Sequence, residues 1–188
     1  MIVAIDGNIG CGKSSILNHL HKFHKIAVDL EPNDNWNELY SDRKDAFRFH
    51  VRIWIDRCWI QEKAESNTIL IERSPYFIQN AYIISQFQSN MLTFEQYDFL
   101  KELHRKTDYL WLGAKYIYLR SSPENCYKKV SKSRYNDRKI DYNDLKCIHD
   151  AHEKAYNDAV QMNANIICID VDTNKIDEIV GQILNFIG

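Results

Sequence analysis

The sequence predicts an α/β protein whose single five-stranded parallel sheet is covered by helices on both faces. Three observations carry that reading. Five short runs are apolar and β-branched without alternation, the pattern of strands buried on both sides. Longer stretches with helical spacing separate them, as right-handed βαβ crossovers require. A glycine-rich loop joins the first run to the first helix.

The strands are expected at Ile2–Asp6, Ile26–Leu30, Thr68–Glu72, Tyr116–Leu119 and Asn165–Asp170. Helices are expected over 13–23, 43–65, 75–88, 94–110, 123–132, 141–160 and 174–187. Region 73–115 holds two of these helices, more than one crossover needs, and so offers a helical face to a partner. The prolines Pro32, Pro75 and Pro123 each follow an apolar run and punctuate the chain.

With 188 residues, of which 45% are hydrophobic and 27% charged, the chain suits one domain, 1–188, with a substantial core. Its net charge of −2 gives no overall electrostatic reason to bind nucleic acid or an acidic membrane, so any anion site must be local. Five scattered cysteines without a C-x-x-C pair suggest neither a disulfide framework nor structural zinc. No apolar run nears the ~18 residues that span a bilayer, and no basic leader opens the chain, so the expected setting is cytoplasmic.

Gly7-Asn-Ile-Gly-Cys-Gly-Lys13-Ser14 fits G-x-x-x-x-G-K-[S/T] between a strand and a helix. Glycines let backbone N–H groups curl around phosphate oxygens, Lys13 can reach the β- and γ-phosphates, and the Ser14 hydroxyl can ligate Mg²⁺. Asn8, Ile9, Gly10, Cys11, Gly12, Lys13, Ser14 and Ser15 are thus the expected nucleotide cradle. Open α/β sheets bind ligands at the carboxyl ends of their strands. Three such ends deliver Asp6 with the loop, Glu31-Pro32, and Glu72-Arg73-Ser74 to one edge.

These motifs continue in order as Glu31-Pro-Asn-Asp-Asn-Trp36, Leu39-Tyr40, Glu72-Arg73-Ser74 and Tyr118-Leu-Arg-Ser-Ser-Pro-Glu124, then a basic stretch and Ile148-His149. The set, spread over nearly the whole chain, resembles the deoxynucleoside kinase family of phosphate-loop kinases. The resemblance implies ATP- and Mg²⁺-dependent phosphorylation of a deoxynucleoside 5′-hydroxyl, with Glu31 as general base. It makes Lys13, Arg73, Arg134 and Arg138 catalytic cations, the last two on a short lid at about 132–140, and pairs Glu72 with Ser14 at the metal. It also implies that Trp36, Tyr40, His50, Arg73, Tyr82 and Asp141 join Glu31 around the substrate, Tyr82 stacking on the base and Tyr40 and Asp141 holding the sugar. Asp172 joins Arg134 on the nucleotide side, and family members pair as homodimers, here expected through helices in 43–110.

His50 stands where the family has a base-reading glutamine, and it lacks the paired amide contact, so the preferred base stays open; Arg57 and Gln79 are further contributors. Two other readings compete. A thymidylate-type monophosphate kinase would need an arginine-rich pocket, for which Arg43, Arg48, Arg52 and Arg57 on one helix are candidates. A GTPase-type switch would use Asn174-Lys-Ile-Asp177, yet that tetrapeptide has no strand after it and reads as an Asn-headed first turn of the last helix.

Overall fold

The computed structural model describes residues 1–31, 46–58, 60, 68–111, 113–132 and 140–188. The strands are β1 (Ile2–Gly7), β2 (Ala27–Asp29), β3 (Ile69–Glu72), β4 (Lys115–Arg120) and β5 (Ile166–Asp170). They form one all-parallel sheet in the order β2-β3-β1-β4-β5. The register sets Ile5 beside Glu72 and Gly7 beside Leu119, so the ends of β1, β3 and β4 meet at one edge.

Successive residues explain why the runs do not alternate in polarity. Val3 and Ile5, Ile117 and Leu119, and Ile169 face one layer, formed by helices α1 (Lys13–His24) and α7 (Ile176–Ile187) through Ile16, Leu17, Leu20, Ile179, Val180 and Ile183. Ala4, Ile71, Tyr116 and Tyr118 face the other, against Ile60, Trp111, Phe77 and Ala155. Each fully buried valine, leucine, isoleucine or phenylalanine among them contributes about 1.5–3 kcal/mol.

The remaining helices are α2 (Ala46–Cys58), a composite α3 starting at Pro75, α4 (Phe94–Thr107), α5 (Pro123–Ser131) and α6 (Tyr142–Gln161). A 3₁₀ turn, Asp108–Trp111, follows α4. The expected two helices between β3 and β4 are α3 and α4. The first is not one regular helix: α-turns at Pro75–Phe77 and Ile84–Gln88 flank a π-helical stretch, Ile78–Ile83. Wide turns of this kind occur often at functional sites.

Helix α7 starts later than expected. Asn174 donates from Nδ2 to Asp170 O at 2.6 Å, closing the turn after β5, and Lys175 N donates to Glu178 Oε2 at 2.8 Å at the helix start. Asn174 therefore does not head the helix, and no described strand follows it. All five cysteines are free thiols. Among the described residues no helix is long and apolar enough to cross a membrane.

Candidate active site

The loop after β1 is held by its own side chains and by α6. Asn8 Oδ1 accepts from Ile9 N at 2.8 Å, and Asn8 Nδ2 donates to Leu145 O on α6 at 2.8 Å. Gly12 caps α1 with φ +106°, a left-handed conformation that side chains disfavour. Lys13 is 5% exposed, and its Nζ donates to Gly7 O and Asn8 O, both at 3.0 Å, curling the loop around its own cation. Cys11 is buried in the core beneath the loop, with Sγ 3.9 Å from Lys13 Nζ. Ser15 lies exposed in the first turn of α1.

Glu72 ends β3 and joins two parts of the site. Its Oε1 accepts from Ser14 Oγ at 2.9 Å, and its Oε2 accepts from Glu31 N at 3.4 Å. The hydroxyl and carboxylate are hard oxygen donors, a set that fits Mg²⁺, which keeps several waters and takes few protein ligands. Arg73 follows in a left-handed backbone conformation, φ +67°, which costs an L-residue about 1–2 kcal/mol. Such strain persists where surrounding structure enforces it, commonly at functional sites.

The enforcing contacts are visible. Arg73 N donates to Ile5 O at 3.0 Å, and Ser74 N donates to Asp6 Oδ1 at 2.9 Å. Arg73 Nε then lies 3.2 Å from Glu31 Oε2, with both side chains under a tenth exposed. Glu31 Oε1 is buried and has no hydrogen-bond partner among the described residues. A carboxylate with one oxygen steadied by a guanidinium and the other unengaged is arranged to accept a proton.

Asp6 was expected at this edge, but motif reading missed that its carboxyl belongs to the buried network of the site. It is fully buried, and burial pushes its carboxyl up to about 7 despite the Ser74 hydrogen bonds and the nearby Lys13 and Arg73. A carboxylate closing an otherwise apolar strand was its signal. His152, also fully buried, was missed as well, since a histidine inside a helix carries no signal of burial.

Several expected contacts take other positions. Tyr82 is 1% exposed; its hydroxyl donates to Gly7 O at 2.8 Å, and the Arg73 guanidinium lies 4.2 Å from its ring centroid. One face of the ring thus carries Arg73. His50, 1% exposed, has Nε2 2.8 Å from Gln86 Oε1, and burial pulls its pKa down to about 3, so it is neutral. Gln79 is buried in the wide turn of α3, with Oε1 unpartnered among the described residues.

Asp141 is exposed and caps α6, accepting from Asn143 N. Asp172 accepts from Ser121 Oγ and Ser122 N, both at 2.7 Å, so it clasps the start of α5. Burial pushes its pKa up, but these bonds outweigh it and hold the carboxyl below its ordinary value. The expected arginine cluster on α2 does not form among the described residues: Arg48 and Arg52 lie on its exposed face, and buried Arg57 pairs with Asp29 at 3.3 Å. Trp36, Tyr40, Arg43, Arg134 and Arg138, with most of the lid, lie outside the described residues.

The chain has relatives. A probable deoxycytidine kinase of fowlpox virus is 26% identical over 99% of this chain and 88% of its own length. Human mitochondrial thymidine kinase 2 is 21% identical over 81% of this chain and 63% of its own. The structure of M. mycoides deoxyadenosine kinase with bound dATP superposes with a TM-score of 0.79, at 20% identity, covering 98% of each chain, which shows the shared fold. The profile of the deoxynucleoside kinases matches residues 3–187, nearly the full length, and the chain belongs to the deoxynucleoside kinase family.

Proposed function

We propose that this enzyme transfers the γ-phosphate of ATP to the 5′-hydroxyl of a deoxynucleoside, giving the 5′-monophosphate, with Glu31 as general base. The observation that carries the reading is the buried Glu31 carboxylate, its Oε2 3.2 Å from Arg73 Nε and its Oε1 unengaged among the described residues. Oε1 takes the hydroxyl proton as the oxygen bonds to the γ-phosphorus and the bond to the β–γ bridging oxygen breaks, releasing ADP, while Arg73 steadies the carboxylate. Lys13 holds the phosphates of the donor, and the bound dATP of the M. mycoides relative supports a nucleoside triphosphate in that role. Ser14 and Glu72 would hold Mg²⁺, which neutralises phosphate charge when bound. Arg134 and Arg138 act as lid cations that exclude water, and Trp36, Tyr40 and Asp141 line the sugar and base side.

A monophosphate acceptor is disfavoured because Arg48 and Arg52 lie on the exposed face of α2 while Arg57 is committed to Asp29. The working enzyme is a homodimer joined through α2 and α4, which expose Ile55, Phe94 and Phe99. The five free thiols suit a reducing, cytoplasmic setting.

Glu31→Gln keeps the shape and removes the basic oxygen. Turnover of the four deoxynucleosides with Mg–ATP should fall about 10²–10⁴-fold while nucleoside affinity by calorimetry stays nearly constant. Turnover within a factor of two of the parent would exclude Glu31 as the base, and activity only on deoxynucleoside monophosphates would reverse the choice of acceptor.

A further inference from the structure

The carbonyl of buried Gly7 accepts two hydrogen bonds, from Lys13 Nζ at 3.0 Å and from the Tyr82 hydroxyl at 2.8 Å. A carbonyl oxygen has two lone pairs, so both are in use. Tyr82 comes from the wide turn of α3, some seventy residues away in the chain, and the same ring carries the Arg73 guanidinium 4.2 Å from its centroid. One phenol therefore touches the phosphate loop and the arginine that steadies Glu31.

The ring is itself backed by a fixed group. His152 of α6 meets Tyr82 edge to face, 5.0 Å between centroids and 90° between planes. His152 is stacked against Phe77 and Tyr118, and its Nδ1 lies 2.8 Å from Ile148 O, an acceptor to which it must donate. The same helix grips the loop a second time through Leu145 O and Asn8 Nδ2. Tyr82 cannot retreat without disturbing this packed set.

Lys13 can serve the donor phosphates only by turning away, wholly or partly, from the loop carbonyls that now hold it. That movement would leave the buried Gly7 oxygen without a partner, a costly state, unless another donor remains. We infer that Tyr82 is a positioning residue that links the two halves of the site: its hydroxyl keeps the Gly7 carbonyl satisfied when Lys13 engages the donor, and its ring holds Arg73 against Glu31. This role differs from stacking on a base, which needs the ring alone. It rests on the kinase reading above.

Tyr82→Phe separates the two roles, because it keeps the ring and deletes one O–H. Binding of the Mg complex of the non-hydrolysable ATP analogue AMP-PNP is measured by calorimetry, and KM for each deoxynucleoside by steady-state kinetics. The variant should bind AMP-PNP about five- to tenfold more weakly, the loss of one hydrogen bond at a buried carbonyl, with KM for the nucleoside within twofold of the parent. Tyr82→Leu, confirmed folded by circular dichroism, should also raise the nucleoside KM, since Arg73 loses its support. Unchanged AMP-PNP affinity in Tyr82→Phe, or equal losses on both substrates, overturns the inference and leaves the kinase reading intact. A parent protein that binds no AMP-PNP overturns both.

Discussion

Two glycines of the loop share a backbone constraint but differ in surroundings, and that difference sets a measurable ranking. Gly12 has φ +106°, and a Cβ built there meets nothing within 4 Å. Gly10 has φ +85°, and its Cβ would stand 2.7 Å from Cys126 O and 2.8 Å from Val130 Cγ2 on α5. Gly12→Ala therefore costs only the backbone strain of a left-handed alanine, about 1–3 kcal/mol. Gly10→Ala costs a similar strain plus overpacking against a helix backbone that cannot rotate aside, a further ~1–3 kcal/mol. A domain of this size loses about 2–4 °C of melting temperature per kcal/mol. Midpoint values of ~2 and ~4 kcal/mol then give drops of roughly 6 °C for Gly12→Ala and 12 °C for Gly10→Ala. Calorimetric melts of both variants without nucleotide read the ranking directly. If Gly10→Ala melts at or above Gly12→Ala, Gly10 does not pack against α5.

Stability should depend steeply on pH in the acid range. Burial lowers the pKa values of His50, His104 and His152 to about 3, 4 and 3, from 6.5, so below 6.5 the unfolded chain binds protons that the folded chain refuses, and stability falls as pH drops from about 6.5 to 4. Asp6 opposes them: raised from 3.8 to about 7, it keeps a proton in the fold that the unfolded chain releases, so its contribution is lost as pH rises through about 7. Unfolding free energies from denaturant melts should rise from pH 4.5 to about 6.5 with a slope that shrinks by one proton, about 1.4 kcal/mol per pH unit, in His152→Phe; an unaltered slope contradicts the buried neutral histidine. Light scattering at micromolar concentration should give twice the 22.3 kDa chain mass, whereas a monomer mass rules out assembly through α2 and α4.

The layers were legible because they depend on composition along the chain. Val3, Ala4 and Ile5 had to be buried on both faces, and the phosphate loop followed from glycines whose conformations no other residue adopts cheaply. Glu31, Glu72 and Arg73 were legible as a group because parallel strands deliver their ends to one edge. What stayed hidden depends on tertiary geometry. Nothing in Ile78–Ile83 announces a shift to wider hydrogen bonding, and arginine at φ +67° runs against its own preference. Arg57 looked like a candidate for the base, yet its partner Asp29 lies on β2, a pairing that only packing α2 beside the sheet creates. Tyr82 was expected to stack on the base because its ring, and not its hydroxyl, carried the resemblance.

The strands differ in how firmly they are held, and the phosphate loop and Glu31 sit on opposite ends of that scale. The phosphate loop grows from β1, hydrogen-bonded to β3 on one side and β4 on the other, with Val3, Ala4 and Ile5 wholly buried. Glu31 hangs from β2, three residues long, partly exposed, and laddered only to β3 among the described residues. Local opening free energies track such differences, so amides of β1 should exchange only on global unfolding while those of β2 exchange earlier. On the proposed reading, mild heating then frays the acceptor side first, leaving a folded protein that grips nucleotide but has lost its base. Inactivation precedes melting, and a ligand on the acceptor side, more than one on the loop, raises the temperature at which activity is lost.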